Sequence, residues 1–325
     1  MAYIFDQDPI GALLEYAVLR ERYDGDARAD EKTEWERNNI RYEQLYILQP
    51  WGGPPGTVTK TQMCQILEQD RDPKQTRQSL DWAFRVLESH QLFLPWAGDA
   101  NTNTTYRVVS DLGRELFETD AHQEFLYGNT KIVERWRASV VRIVNPEGDG
   151  IGTGFVIGPT MIATARHVID GMPKFVVESE DGRKFEHTEV IRHSHETVDL
   201  ALVRLKNTAN VRSFRISTAY DLLDSVVVFG YPPIPRTKDA YLVVNRGEIC
   251  AKPTLYRDDQ RIMIVSCLLR GGNSGGPIVN SRGAVVGIVS ELLFKQVSRE
   301  EHSINENLGV AAATEAGQLN TLTGV

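Results

Sequence analysis

Gly271-Gly272-Asn273-Ser274-Gly275-Gly276-Pro277 decides how the second half of this 325-residue chain is read. A serine flanked by glycines sits on a tight turn with its hydroxyl turned outward, and no side chain crowds an approaching carbonyl. The small neighbours also let the backbone N–H groups of Gly272 and Ser274 converge on one point, as a developing oxyanion requires. Two stretches upstream supply the partners such a serine needs. Ile162-Ala163-Thr164-Ala165-Arg166-His167-Val168 brings an imidazole, which titrates near neutral pH and takes a hydroxyl proton. Val198-Asp199-Leu200-Ala201-Leu202-Val203 brings a carboxylate, which holds the imidazole tautomer and stabilises the imidazolium. His167, Asp199 and Ser274 are therefore a candidate catalytic set, and Gly272 with Ser274 a candidate oxyanion hole.

Composition sets the frame around that set. The length accommodates two domains, and 41% hydrophobic residues is ordinary for a folded chain. No basic region followed by an apolar run opens the sequence, and no window approaches eighteen consecutive apolar residues, so neither an export signal nor a membrane span is expected. Cys64, Cys250 and Cys267 are odd in number and widely spaced. They read as reduced, buried thiols of a cytoplasmic protein, with Cys267 a core filler and no metal pattern or cofactor implied. Charge is uneven: residues 1–128 hold 13 Lys and Arg against 22 Asp and Glu, a balance of −9, whereas residues 129–325 stand at +1.

The pattern changes near Asn129–Arg137. Before it, apolar residues recur with helical period: Pro9–Arg22, Thr59–Leu67 and Lys74–His90, with Asp24–Gln49 a charged helical insertion and Trp51–Gly56 a break. A polar tip at Gly98–Asn103, a strand over Thr105–Val109 and a closing helix from Ser110 follow. After the boundary come about a dozen short β-rich runs separated by turn residues, which argues an antiparallel barrel or sandwich. The fold class is α+β multidomain: a mostly α domain over 1–128 and an all-β domain over 129–325.

Both parts resemble known families. The phrase Tyr106-Arg107-Val108-Val109-Ser110-Asp111-Leu112-Gly113-Arg114-Glu115-Leu116 is similar to the wing strand and final helix of winged-helix domains, a resemblance spanning roughly residues 10–120. The second part resembles the chymotrypsin-like (trypsin-fold) serine proteases, in particular the Deg-type bacterial branch. Gly152-Thr153-Gly154-Phe155-Val156-Ile157 leading to His167, the Asp199 phrase and the Ser274 phrase occur in that family's order. The resemblance implies two six-stranded barrels with the active site between them, and peptide-bond hydrolysis of a protein or peptide substrate through an acyl-enzyme. It also implies that Ser290 supports the triad aspartate, and that the specificity pocket lies near Leu268, Leu269, Glu291 and Leu292. With no acidic residue at the floor, a modest apolar side chain before the cut is expected. Asn273 stands where the digestive branch has aspartate, and residues 136–144 show no activation peptide. Control by loop ordering or by the first domain is therefore expected in place of a maturation cut.

Plainer readings exist for each residue. Ser274 fits an ordinary glycine-rich turn, His167 a structural histidine, Asp199 a strand-edge carboxylate and Ser290 a core serine. His193 and His195 invite a metal or relay reading but fit a solvated loop and lack a third ligand. Winged helices usually bind DNA, and the presumed recognition helix offers Lys74, Arg77 and Arg85. Phosphate contacts need a basic face, so a −9 domain favours docking of a regulatory protein over nucleic acid. The architecture suggests conditional proteolysis in bacterial stress response or phage defence. Its rival is a DNA-binding regulator whose protease part cleaves itself or a repressor.

Overall fold

The computed structural model describes residues 5, 7–24, 58–67, 72–99, 104–147, 150–172, 174–237, 241–255, 260–299 and 302–323. The chain divides into two compact units, Met1–Leu126 and Tyr127–Val325. The helical insertion expected at 25–49, the break at 51–56 and the hairpin tip at 100–103 lie outside the described residues.

In the first unit the helical periods become α1 (Pro9–Asp24), α2 (Lys60–Leu67) and α3 (Pro73–Ser89). A hairpin of β1 (Phe93–Asp99) and β2 (Thr104–Val109) comes next, then α4 (Asp111–Glu118) and α5 (His122–Tyr127). Local chemistry sets the helix starts: Asp72 accepts from Gln75 N–H at 2.8 Å with Pro73 opening α3, and Ser110 accepts from Gly113 N–H at 3.0 Å to start α4. Leu13, Leu14, Ala17, Leu80, Ala83, Phe84, Leu87, Leu92 and Leu116 close one core. Val58 bridges to Arg107, which adds a third backbone contact to the hairpin. Lys74, Arg77 and Arg85 lie on the exposed side of α3, where Trp82, Arg85, Val86 and Ser89 line a groove of about 330 Å³.

The second unit opens with a helix where the sequence suggested only a boundary: α6 (Asn129–Trp136). Ile132 and Trp136, four apart, face inward, and Trp136 stacks on Phe214 with centroids 4.5 Å apart. The strands are β3 (Val140–Val144), β4 (Ile151–Gly158), β5 (Met161–Thr164), β6 (Val176–Ser179), β7 (Lys184–Phe185), β8 (His187–Arg192) and β9 (Ala201–Leu205). A second set follows: β10 (Ser225–Gly230), β11 (Val243–Ala251), β12 (Ile262–Val265), β13 (Pro277–Asn280), β14 (Val285–Arg299) and β15 (His302–Glu315). A short helix α7 (Arg166–Asp170) follows β5, and α8 (Leu319–Thr323) follows the last strand.

The second set is a closed six-stranded barrel, β10-β11-β12-β15-β14-β13. The first set departs from the expected six strands: it is a seven-stranded sheet, β7-β6-β3-β4-β5-β9-β8. The run expected as one strand over Phe185–Arg192 splits at Glu186. Phe185 pairs with Val177 on one edge, while His187 onward pairs with β9 on the other, so one residue joins the two edges and the sheet nearly closes.

Val226-Val227-Val228-Phe229 in β10 shows how the two sheets meet. Strand side chains alternate between faces. Val226 and Val228 pack with Ile249, Met263 and Val289 inside the barrel, while Val227 and Phe229 pack with Phe155, Leu200 and Trp136 between the sheets. A strand buried on both faces reads as an uninterrupted apolar run. A third cluster, around Val141, Ile143, Val156 and Ile162, fills the first sheet.

Candidate active site

His167 and Asp199 are brought together by strand register. Thr164, at the end of β5, pairs with Ala201, at the start of β9. Residues just after 164 and just before 201 therefore occupy the same end of two adjacent antiparallel strands. Asp199 accepts twice from His167: the backbone N–H reaches Oδ1 at 2.9 Å, and Nδ1–H reaches Oδ2 at 2.7 Å. The Ser290 hydroxyl also donates to Oδ2. Nε2 of His167 has no partner among the described residues, and the side chain is 51% exposed.

These contacts set the protonation states. The hydrogen bond to Asp199 raises the His167 pKa above its ordinary 6.5 and outweighs burial, which lowers it; the charges of Asp199, Glu291 and Asp170 add to the rise. Burial pushes the Asp199 carboxyl up, but the bonds from His167 and Ser290 outweigh it and hold the pKa below 3.8.

Ser290 reaches Asp199 because of an irregularity. Val289 pairs with Ala313 and Glu291 with Ala312, so Ser290 is an extra residue, a bulge in β14. The bulge sits beside the Ser274 loop, whose Gly275 N–H donates to Val289 O at 2.7 Å while Val289 N–H donates to Gly276 O at 2.9 Å.

The Ser274 loop is also stitched to the first sheet. Thr153 N–H donates to Ser274 O at 2.9 Å, and Thr153 Oγ1 donates to Gly272 O at 2.6 Å while accepting from Tyr231 N–H at 2.9 Å. Gly275 has φ +83°, and a Cβ there would lie 2.2 Å from both Thr153 O and Thr164 Oγ1. Gly272, at φ +93°, occupies the third position of the turn closed by Asn273 N–H to Arg270 O at 3.1 Å, a position that demands glycine. The tight packing sets Gly275, the residue after Ser274, against Ala165, two residues before His167.

Within this loop the N–H groups of Asn273, Gly275 and Gly276 are all bonded. Those of Gly272 and Ser274, the candidate oxyanion donors, have no acceptor among the described residues. No hydrogen bond joins the Ser274 hydroxyl to His167 among them either. Asn273 is buried and donates through Nδ2 to Arg270 O at 3.1 Å, while its Oδ1 has no partner. An aspartate there would bury a charge with no described cation beside it.

Residues 152–288 match the trypsin-like peptidase domain. Relatives of this trypsin-like region agree. The putative serine protease HhoA of Synechocystis is 32% identical over 146 residues, which cover 43% of this chain and 36% of that protein. The periplasmic serine endoprotease DegP of Escherichia coli is 25% identical over 178 residues, covering 53% and 35%. The serine endoprotease of Yersinia pestis, a solved structure, is 23% identical with a TM-score of 0.46, covering 60% of this chain and 65% of that one. The chain thus spans about a third of the length of the curated relatives it matches. The family match and the two curated relatives support a serine endopeptidase.

The expected pocket residues are placed differently from one another. Leu268 is 66% exposed, but Leu269 is 2% exposed and packs in the second barrel's core. Glu291 is exposed; the side chain of Leu292 is not among those described. Cys267 is buried, its thiol pKa pushed up to about 12 by desolvation, but Cys250 is exposed and Cys64 half-buried, so the buried reading fails for those two. His195 is exposed, as a solvated loop requires, but His193 is 8% exposed and bonded on both ring nitrogens, so the solvated-loop reading fails for it. Thr153 was missed as a site residue: its phrase was legible, but not its bond to a loop 119 residues away. Among the described residues no group of three His, Cys, Asp or Glu could hold a metal ion, and no helix is long and apolar enough to cross a membrane.

Proposed function

We propose that this chain hydrolyses peptide bonds with Ser274 as nucleophile, His167 as general base and acid, and Asp199 as the group that orients and stabilises the imidazolium. The observation that carries the reading is the state of His167. Nδ1 is tied to a carboxylate, while Nε2, the nitrogen that must take the serine proton, stands open. Ser274 Oγ attacks the scissile carbonyl as His167 removes its proton, and the Gly272 and Ser274 N–H groups hold the oxyanion. His167 then protonates the departing amine, and water repeats the sequence on the acyl-enzyme. The Ser274–His167 bond tightens as substrate enters, as catalytic bonds in empty sites commonly do. Leu268 is an exposed apolar residue available to a substrate side chain, and Glu291 is exposed and close enough to His167 to act on its charge. A sparse, odd set of three cysteines suits a cytoplasmic setting.

The decisive measurement is labelling by a fluorophosphonate probe. Wild type should react and Ser274→Ala should not, with both equally folded by circular dichroism. Equal labelling of the two proteins removes Ser274 from the mechanism.

For the first unit we propose a winged-helix-like module that docks a regulatory protein. Its −9 balance opposes duplex DNA. Lys74, Arg77 and Arg85 on the exposed side of α3 favour the rival reading, a DNA-binding regulator. Salt-dependent binding to a duplex at low ionic strength would favour the rival, and absence of binding there dismisses it.

A further inference from the structure

Asp199 is carried by a loop, residues 193–200, whose middle is exposed and whose ends are tied. His193 N–H donates to Leu200 O at 3.0 Å and Val198 N–H to His195 O at 3.2 Å, so the loop is closed on itself. Upstream, Arg192 bonds Asp170 at 2.7 Å, and Asp170 also takes Arg166 at 3.1 Å. That fastens the loop's start to α7, the helix that carries His167.

The other fastening is His193. Its Nδ1 accepts from the His195 backbone N–H at 3.1 Å, so that nitrogen bears no proton. The ring proton is therefore on Nε2, which donates to Thr321 Oγ1 of α8 at 2.8 Å. The Thr321 hydroxyl passes its own proton to Gln318 O at 2.7 Å. Every donor and acceptor in this relay is fixed by its neighbour. Below it, Ala316 and Leu319 share one core with Val198 and Leu200. An apolar side chain would fill the space of His193 without needing partners; an imidazole there adds direction.

We propose that His193 and Thr321 are positioning residues for Asp199, which makes the C-terminal helix a working part of the site. The proposal rests on the triad reading above. The His167–Asp199 pair draws on such a fastening because the His167 side chain is half exposed.

Thr321→Val keeps the shape and removes the acceptor. For a peptide substrate, kcat should fall about tenfold with KM within about twofold. The titration of His167, followed by NMR in Ser274→Ala protein, should move to lower pH as the carboxylate loosens its hold. Thr321→Ser should restore both. Wild-type kcat together with a wild-type His167 titration in Thr321→Val overturns the proposal, as does a loss that Thr321→Ser does not rescue. Should Thr321→Val fail to fold, His193→Leu is read by the same titration, and an unmoved His167 there is equally fatal. The titration needs no turnover, so an inactive wild type would sink the protease reading and still decide this one.

Discussion

Ser290 and His167 donate to the same oxygen of Asp199, Oδ2, from opposite halves of the second unit: His167 follows the first sheet's β5, and Ser290 bulges from the barrel's β14. With the backbone N–H of His167 on Oδ1, the carboxylate receives three donors. A partly buried carboxylate so supplied stays ionised, and an ionised Asp199 keeps His167 in the tautomer that leaves Nε2 open.

Replacing Ser290 by Ala removes one charge-assisted bond, an effect of about 1.5 kcal/mol or close to tenfold in kcat/KM. The Asp199 pKa should rise toward its ordinary value. Steady-state kinetics on a peptide substrate decide the matter, and wild-type turnover in Ser290→Ala would reduce Ser290 to a core serine.

The general base must be neutral to accept a proton, so activity falls as pH drops through the His167 pKa. Because that value is raised, the acid limb of kcat/KM should lie above 6.5. Asp199→Asn should cost about 10⁴-fold in kcat. Stability has its own window. A raised His167 pKa contributes fully below 6.5 and is lost as pH climbs through the folded value. A lowered Asp199 pKa contributes above 3.8 and is lost as pH falls through its folded value. The denaturation difference between wild type and His167→Ala should thus be greatest between these values. A difference that grows above neutral pH contradicts the assignment.

Thr153 is fully buried and serves two backbone groups, Gly272 O and Tyr231 N–H. Thr153→Val leaves both without it, which should destabilise the protein by about 2–4 kcal/mol. Turnover should fall further than the urea midpoint alone explains, since the released peptide is the one that orients the oxyanion donors. Thr153→Ser, keeping the hydroxyl, should retain most activity. Activity kept in Thr153→Val and lost in Thr153→Ser would locate the effect in the methyl group.

Leu268 and Leu269 should part company. Leu269→Ala opens a cavity in the barrel core and should cost about 2–5 kcal/mol. Leu268→Ala should leave the melting temperature nearly unchanged and raise KM for substrates with an apolar residue before the cut. The reverse pattern would place the pocket floor at Leu269.

What was legible in the sequence was what is local. The Ser274 turn, the His167 and Asp199 phrases, the helix at Lys74 and most strands each announce themselves within a few residues. What escaped depends on distant partners or on register. The role of Ser290 needed a bulge that no alternation pattern displays, so the residue could be reached only through a family resemblance. His193 reads as a loop residue because Thr321 lies 128 positions away. Leu268 and Leu269 were both read as pocket residues from the family resemblance; they part in exposure just past the end of β12, where no strand alternation exists to be read. The strand β14 runs to Arg299, well past the short runs read from the sequence, because Ser290-Glu291 and then Lys295, Gln296 and Ser298 interrupt the apolar pattern while the backbone pairing continues.

The division of labour between the two sheets has a consequence for biosynthesis. A ribosome delivers His167 and Asp199 more than seventy residues before Ser274, and the barrel that aims Ser274 cannot close until β15 has emerged. A growing chain therefore carries His167 and Asp199 without Ser274, then Ser274 without its frame. The site proposed above is assembled only once β15 has been made.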